Sequence, residues 1–307
     1  MTQLTSHGDR RLWPASTSHV AVLADYWQLA KPRLTLMVVI TTFIGFVMGL
    51  RHVAAGQWSY AALLGTLVGT GLSCIGAGVF NQVVERHVDA RMRRTMSRPL
   101  PAGRMSARHA TVIAAIACVT GIALVAIAGG MLSAALALIT ILGYVLVYTP
   151  MKCRSSICTV IGAIPGALPP VIGYSAATGT VGVEASLLFA LLFMWQLPHF
   201  LAIAFLYRRD YARAGLPMLP VVDGDGRSTF RQILLGSLAL LPLGLTPAMA
   251  GVSGPTYFVV ALVAGLMFLG FAVALAIGRT RRLARALFLA SLVYLPIVFT
   301  MMWIDQL

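Results

Sequence analysis

The chain has 307 residues, of which 59% are hydrophobic and only 10% are charged, and its mean hydropathy is +0.86. Soluble domains carry about 25% charged residues, so this composition excludes an ordinary water-soluble enzyme. The 23 Lys and Arg residues outnumber the 9 Asp and Glu residues. They lie in short clusters between apolar runs and not on one solvated domain, so they do not indicate a nucleic-acid partner.

The chain begins with a polar segment, residues 1–33, which carries four basic residues and no apolar core of its own. We interpret this segment as a cytoplasmic N-terminal tail that precedes a retained first span, and not as a cleaved signal peptide. Residues 34–307 are then predicted to form a single transmembrane domain.

Apolar runs of about 17–25 residues are long enough to cross a bilayer as helices, and we find nine of them after the tail. In chain order they are Leu34–Leu50, Tyr60–Phe80, Ala110–Ala128, Met131–Thr149, Ile157–Ala177, Ser186–Leu206, Ile233–Ala250, Pro255–Ile277 and Ala286–Ile304. None of the runs contains Lys, Arg, Asp or Glu. The sequence therefore predicts an all-α polytopic membrane protein with nine transmembrane helices in a lipid bilayer.

The basic residues alternate between the segments that connect these runs. All of them except Arg51 precede the first run or follow runs 2, 4, 6 and 8. The positive-inside rule assigns such segments to the cytoplasm. We therefore expect a multi-pass protein of a bacterial inner membrane, with a cytoplasmic N-terminus and a periplasmic C-terminus.

The loop after the second run begins with three oxygen-bearing side chains, Asn81, Glu85 and Asp89. If the helix continues beyond the membrane, this i, i+4, i+8 spacing places them on one stripe about 12 Å long. Mg²⁺ is usually held by one or two carboxylates together with substrate phosphates, and nearby arginines suit phosphate oxygens. The same spacing also fits a solvated helix extension with i,i+4 ion pairs, so the residues alone leave both interpretations open.

The sixth run contains His199, the only histidine in a predicted span. Polar groups at such depth usually line a cavity or a site, but a structural histidine bonded to a neighbouring helix is an equal alternative. Asp210 follows eleven residues later. We expect it on the same helix face, about 16 Å from His199 along the axis, unless Pro198 kinks the helix.

At these residues the sequence resembles the UbiA superfamily of intramembrane prenyltransferases, whose first diphosphate motif is similar to Asn81, Glu85 and Asp89. The resemblance continues through Arg94-Thr95, Arg98-Pro99-Leu100, Gly103, Tyr148-Thr149-Pro150, Lys152, Gly162, Gly166, Pro169-Pro170, Gly173, Trp195-Gln196, Pro198-His199-Phe200, Asp210-Tyr211 and Pro217-Met218-Leu219-Pro220. It runs from about Lys31 to Arg231 and, more loosely, to the end. The segments from Trp195 onward are the most specific to the branch that acts on heme.

Two positions depart from the superfamily pattern. Glu85 stands where many members have Asp, and it can still ligate Mg²⁺ with a longer reach. A second DxxxD motif would need an acid at position 214, where this chain has Ala214. The missing acid favours the heme branch over quinone prenyltransferases, and it leaves Asp210 as the strong candidate ligand of that segment.

The resemblance implies a UbiA-type helical bundle whose cytoplasmic loops 2–3 and 6–7 cap the active site. It implies transfer of farnesyl from farnesyl diphosphate to a vinyl group of heme B, giving heme O for heme–copper oxidase biogenesis. Mg²⁺ would be the cofactor, bound by Asn81, Glu85, Asp89 and Asp210, which we take as the catalytic residues. Heme A synthase is an implied candidate partner.

The same resemblance implies a set of substrate contacts. These are Arg94, Arg98, Lys152, His199, Tyr148, Tyr211 and Arg208. Arg94, Arg98 and Lys152 would stabilise the charge of the departing diphosphate. His199 would contact or ligate heme, because neutral imidazole is a good ligand for iron.

Other function classes predict different patterns. An aromatic prenyltransferase of quinone or chlorophyll type predicts an acid at position 214 and gives no reason for the Pro198-His199-Phe200 run. A transporter would place ionisable residues at broken helices near the middle of the membrane, whereas eight of the nine runs contain no acid, base or His. A structural assembly factor for an oxidase would not need a stripe of carboxylates.

Overall fold

A computed structural model describes residues 19–54 and 58–306 of the chain, and the elements in these two ranges are helices. They are α1 (His19–Ala30), α2 (Pro32–Leu50), α3 (Tyr60–Asp89), α4 (Ala107–Leu142), a π-helical segment (Gly143–Tyr148), α5 (Thr149–Met151), α6 (Cys158–Ala167), α7 (Pro169–Thr178), α8 (Val183–Leu206), α9 (Arg208–Ala214), α10 (Leu219–Val222), α11 (Arg227–Met249), α12 (Pro255–Gly278) and α13 (Arg281–Ile304). The predicted all-α fold is confirmed.

The first helix lies inside the segment that we predicted as a polar tail, of which residues 1–18 are outside the described ranges. Helix α1 packs on the bundle through Leu29, which is 2% exposed and lies in one buried cluster with Val79 and Leu100. With 12 residues it is too short to span a bilayer, so a search for long apolar runs does not detect this helix. One residue, Lys31, separates α1 from α2.

Several helices begin at side chains that bind the free backbone N–H groups of the first turn. Ser59 accepts a hydrogen bond from the N–H of Ala62 at the start of α3, and Ser106 accepts one from His109 at the start of α4. Thr280 does the same for α13. Ser and Thr favour this position because their oxygens replace a missing intrahelical acceptor, so the sequence itself sets these boundaries.

By length and apolar composition, eight helical stretches in the described ranges can cross a membrane, against the nine predicted. The difference arises in one stretch of 45 residues, Ala107–Met151. It combines predicted spans 3 and 4, and Gly130 within it has φ 83° and ψ 173°. This backbone region is essentially restricted to glycine, so the helix breaks at this residue.

Contacts with α3 show that the chain reverses at the Gly130 break. Ala114 and Cys118, before the break, lie against Gly76. After it, Ile141 joins Cys118 in one buried cluster. Thr149 then bonds Asn81, farther along α3. The two halves therefore run antiparallel and form two of nine crossings.

Helices α2 and α7 approach each other closely at two glycines. A Cβ atom on Gly45 would lie on the backbone of Pro170, and one on Gly173 would lie on the carbonyl oxygen of Thr42. Inside a bilayer the hydrophobic effect does not drive helices together, and small residues permit the close approach that dispersion forces require. The two glycines thus fix the first span against the fifth.

The two ends of the bundle differ in charge. At one end, which we call the arginine-rich end, Lys31, Glu85, Lys152 and Tyr211 lie close to the α3–α4 loop. At the opposite end, Arg51 donates to the carbonyl oxygen of Val252 and Ser253 donates to that of Met302. Lys31 directly precedes the first span and Met302 lies near the end of the last one. They lie at different ends of the bundle, as an odd number of crossings requires.

The loops predicted to cap the site, 2–3 and 6–7, are in contact. A buried apolar cluster joins them, and it contains Met92, Cys158, Ala204, Tyr211, Ala214, Leu216 and Met218. Burial of its larger members, Met92, Leu216 and Met218, is worth about 1.5–3 kcal/mol each. The cluster holds the α3–α4 loop against α9 and so places the two sequence motifs side by side.

Candidate active site

Helix α3 carries the first motif, and it continues without a break past the predicted span end at Phe80 to Asp89. Asn81, Glu85 and Asp89 are 4%, 4% and 1% exposed. The predicted helix extension is confirmed, and burial excludes the alternative of a solvated face. Three polar side chains on one buried stripe require partners, since an unpaired buried charge is costly.

Each buried carboxylate of the stripe has a basic partner from elsewhere in the chain. Lys152 donates to both oxygens of Glu85 at 3.0 and 2.9 Å, and Arg98 donates to Oδ2 of Asp89 at 2.7 Å. Burial alone would lower the pKa of Lys152, but the Glu85 carboxylate raises it above its usual value. The ammonium group therefore stays charged beside the acid.

Asp89 retains one oxygen without a partner. Its Oδ1 atom is enclosed and makes no hydrogen bond to the described residues, whereas Oδ2 binds Arg98. Thr95 fixes the backbone at this point by donating to the carbonyl oxygen of Asp89 at 2.8 Å. This free oxygen shares one helix face with the amide oxygen of Asn81 and the carboxylate of Glu85, and hard oxygens of this kind are the ligands that Mg²⁺ prefers. The residues fit the metal.

Asn81 is held by two residues that our sequence reasoning did not assign to the site. Lys31 donates to its Oδ1 at 3.2 Å, and its amide nitrogen donates to Oγ1 of Thr149 at 3.2 Å. Lys31 is one of two non-glycine residues in the described ranges with positive φ, at 49°. Burial, followed by the charge of Arg98, lowers the pKa of Lys31 to about 8.

The second motif contacts the first through arginine and tyrosine and not through a shared cluster of acids. Arg94 donates to the hydroxyl of Tyr211 at 3.0 Å and lies over the ring of Tyr207 at 4.9 Å. Asp210, 8% exposed, accepts from Arg213 at 2.7 Å. Among the described residues, no three His, Cys, Asp or Glu side chains converge as metal ligands, so the four predicted ligands do not form one cluster here.

Tyr148 and Arg208, which were also predicted to contact substrate, pack on aromatic side chains in the structure. Tyr148 stacks on Tyr144 with ring centroids 5.2 Å apart, in the π-helical segment that ends beside Thr149. Arg208 lies over the ring of Phe205 at 5.5 Å. Tyr148 thus borders Thr149, which bonds Asn81. Arg208 packs on the end of α8.

His199 lies in the interface between α8 and α13. Its Nδ1 atom is 2.6 Å from Oγ of Ser291, and its ring stacks on Trp195 with centroids 4.6 Å apart. Phe288 lies 5.2 Å away on α13. The bond to a neighbouring helix is what the structural interpretation predicted, and Ser291 has no sequence signal that would pair it with His199.

The arrangement suits the binding of an anionic leaving group. Lys31, Arg98 and Lys152 supply three positive charges against the two buried carboxylates Glu85 and Asp89. Such fixed charges act strongly in a low-dielectric site because they need no reorganisation when negative charge develops.

Comparisons with known proteins agree with this geometry. The model of the UbiA prenyltransferase family matches residues 38–298. A protein of Solibacter usitatus (strain Ellin6076), named protoheme IX farnesyltransferase, is 44% identical over 291 residues, covering 92% of this chain and 99% of its own. A protein of the same name from Koribacter versatilis (strain Ellin345) is 44% identical and covers 93% of this chain and 94% of its own.

Solved structures show the same fold at low sequence identity. A digeranylgeranylglyceryl phosphate synthase superposes with a TM-score of 0.76 at 17% identity, covering 92% of this chain and 98% of that one. A UbiA homolog from Archaeoglobus fulgidus bound to GPP and Mg²⁺ gives a TM-score of 0.62 at 15% identity, with 91% and 99% coverage.

Proposed function

Since this chain belongs to the UbiA prenyltransferase family, we propose that it transfers farnesyl from farnesyl diphosphate to a vinyl group of heme B, giving heme O. The names of the relatives from Solibacter and Koribacter support this pair of substrates. The observation in the chain itself that carries the proposal is the free, enclosed oxygen of Asp89, on the buried helix face that also carries Asn81 and Glu85. A buried site with this donor set and three neighbouring cations suits a diphosphate and its metal.

Asn81, Glu85 and Asp89 would hold Mg²⁺, with Asp210 as a fourth candidate ligand from the second motif. The bound metal supplies a positive charge that offsets the negative charge of the diphosphate as it departs. A Mg²⁺ ion accompanies prenyl diphosphate in the Archaeoglobus relative, which is bound to GPP.

The residues of the chain would assist the departure of the diphosphate. Lys31, Arg98 and Lys152 offer N–H donors to phosphate oxygens, which stabilises the diphosphate as the allylic C–O bond breaks and its electron pair leaves with oxygen. The π electrons of a heme vinyl group then form the new C–C bond. Water captures the resulting cation and loses a proton, which yields the hydroxyethylfarnesyl group.

The arginine-rich end would face the cytoplasm of a bacterial cell, in its inner membrane, and the C-terminus would face the periplasm. The excess of basic residues at this end supports that orientation. The division into a tail of residues 1–33 and one domain of residues 34–307 stays a prediction, as does heme A synthase as the partner that receives the product.

The test is a reaction of the purified protein with heme B, farnesyl diphosphate and Mg²⁺, followed by mass spectrometry of the porphyrins. We expect heme O, and we expect none when Mg²⁺ is chelated. Parallel reactions replace heme with hydroxybenzoate. A prenylated benzoate with no heme O would contradict the proposal and favour the aromatic prenyltransferase interpretation, and no product from either acceptor would favour a transporter or an assembly factor.

A further inference from the structure

A hydrogen-bond chain of fixed direction crosses the interface between α8 and α13. His199 Nδ1 lies 2.6 Å from Oγ of Ser291, and this Oγ lies 2.6 Å from the carbonyl oxygen of Phe288. A carbonyl oxygen only accepts, so the Ser291 hydroxyl donates its single hydrogen to it. The Ser291 oxygen must then accept from His199, and Nδ1 carries the ring proton.

The other ring nitrogen of His199 is consequently a bare acceptor. In a neutral imidazole one nitrogen donates and the other presents a lone pair, so Nε2 is the unprotonated atom. Nε2 makes no hydrogen bond within residues 19–54 and 58–306, although the side chain is buried at 7% exposure. Nε2 is not among the enclosed unpaired atoms of the described residues, so it keeps surface that a ligand can approach, and its lone pair is available for binding.

The ring is also fixed in orientation. It stacks on Trp195 with an interplanar angle of 22°, and Phe288 lies on the α13 side. The indole N–H of Trp195 donates to the carbonyl oxygen of Ser291 at 2.8 Å, which ties the stack to the same turn of α13. One serine thus bonds the imidazole and, through its carbonyl, the tryptophan that packs on it.

We propose that Ser291 is a positioning residue that holds His199 in the Nε2 lone-pair form, oriented to ligate the iron of the heme substrate. The inference rests on the proposed function, because it assumes heme as the acceptor. Histidines that bind metals usually donate their other N–H to a nearby acceptor, which fixes the tautomer and raises ligand basicity. Ser291 is that acceptor here, and a purely structural histidine would not require a free Nε2.

The experiment is a titration of the full-length protein with heme, read by the Soret absorbance band, for the wild type and variants. Ser291→Ala removes the acceptor, and we expect heme affinity to fall by about 10–100-fold with a shifted band. Ser291→Thr retains a hydroxyl and should restore both. Ser237→Ala is the matched control, because Ser237 is a buried serine of α11 whose hydroxyl has no partner in the described chain. It should match the wild type.

A second variant keeps the proposal testable if Ser291→Ala does not fold. His199→Gly should lose the wild-type band, and imidazole added to the buffer should restore it by occupying the vacated ligand position. If Ser291→Ala and His199→Gly bind heme with wild-type affinity and spectrum while the wild type produces heme O, the inference is wrong and the proposed function stands. If the wild type neither binds heme nor forms heme O, both fail.

Discussion

Both ends of the bundle bury a carboxylate, and the two differ in how fully its oxygens are bonded. At the opposite end, Glu184 binds His52 through Oε1 at 2.7 Å and accepts from the Tyr174 hydroxyl through Oε2 at 3.0 Å. At the arginine-rich end, Asp89 binds Arg98 through one oxygen, and the other has no partner.

The difference separates a stabilising carboxylate from a ligand. Glu184 ties α8 to α7 and to the residues that follow α2, and each of its two oxygens has a partner. The free oxygen of Asp89 costs about 1–3 kcal/mol of unfolding free energy as an unsatisfied buried group. A buried polar atom that lowers stability is expected at a position where that atom binds a substrate or a metal.

The largest expected difference between the two ends appears when Asp89 and Glu184 are neutralised in separate variants. We expect Asp89→Asn to lower turnover at least about a hundredfold, because it removes a negative ligand at the site of charge development. Glu184→Gln should leave turnover within a factor of about three. Steady-state assays of heme O formation measure both, and equal losses in the two variants would contradict the distinction.

A smaller effect is expected at Lys31, a base that has no carboxylate partner within residues 19–54 and 58–306. Lys31→Gln should raise the KM for farnesyl diphosphate about tenfold, the effect of about 1.4 kcal/mol of lost binding, and should leave the KM for heme unchanged. Arg279→Gln is the matched control, because Arg279 has the same left-handed backbone, with φ 47°, but lies beside Asp225 and Phe230. A normal KM in Lys31→Gln would exclude contact with the diphosphate.

For Glu184→Gln the expected loss is in stability. Removing the charge weakens the bond to His52, and we expect the free energy of unfolding to fall by about 1.5–3 kcal/mol, the usual scale for a hydrogen bond to a charged group. Thermal unfolding in detergent, followed by circular dichroism, measures the change. An unchanged melting temperature would show that the triad of Glu184, His52 and Tyr174 does not hold the opposite end together.

The smallest effect is expected at Asp223. This residue tests whether the hydrogen bonds of an acid, and not the end of the bundle where it lies, determine its role. Asp223 lies at the arginine-rich end, and hydrogen bonds from the backbone and hydroxyl of Thr229 outweigh burial and lower its pKa. A lowered pKa stabilises the fold above the unfolded value of about 3.9. Asp223→Asn should therefore cost a little stability at pH 7 and nothing below the folded pKa. Melting temperatures across this pH range check it, and reduced turnover would contradict it.

Local patterns were sufficient to predict most of the fold and part of the site. Apolar run lengths gave the crossings, and the i, i+4 spacing of Asn81, Glu85 and Asp89 gave their common face, because a helix determines both. The 45-residue stretch could be divided correctly because Gly129-Gly130 interrupts it.

The remaining features depend on contacts between distant segments. Lys31 reaches Asn81 because the chain turns between α1 and α2, and a basic residue at a membrane boundary is otherwise explained by topology. Ser291 meets His199 only because α13 packs on α8, and an isolated serine in an apolar helix has no pattern that signals this. The partner of Asp210 was likewise unpredictable, since several arginines lie within one turn of it.

The reversal at Gly130 bears on how the protein is made. Between Arg108 and Lys152 the chain has no charged Lys, Arg, Asp or Glu, and only one residue departs from helical geometry. No hydrophilic loop has to be carried across the bilayer during synthesis, so the two spans can enter it together as a helical hairpin. Replacing Gly130 should thus impair membrane insertion in the cell, before any catalytic step is reached.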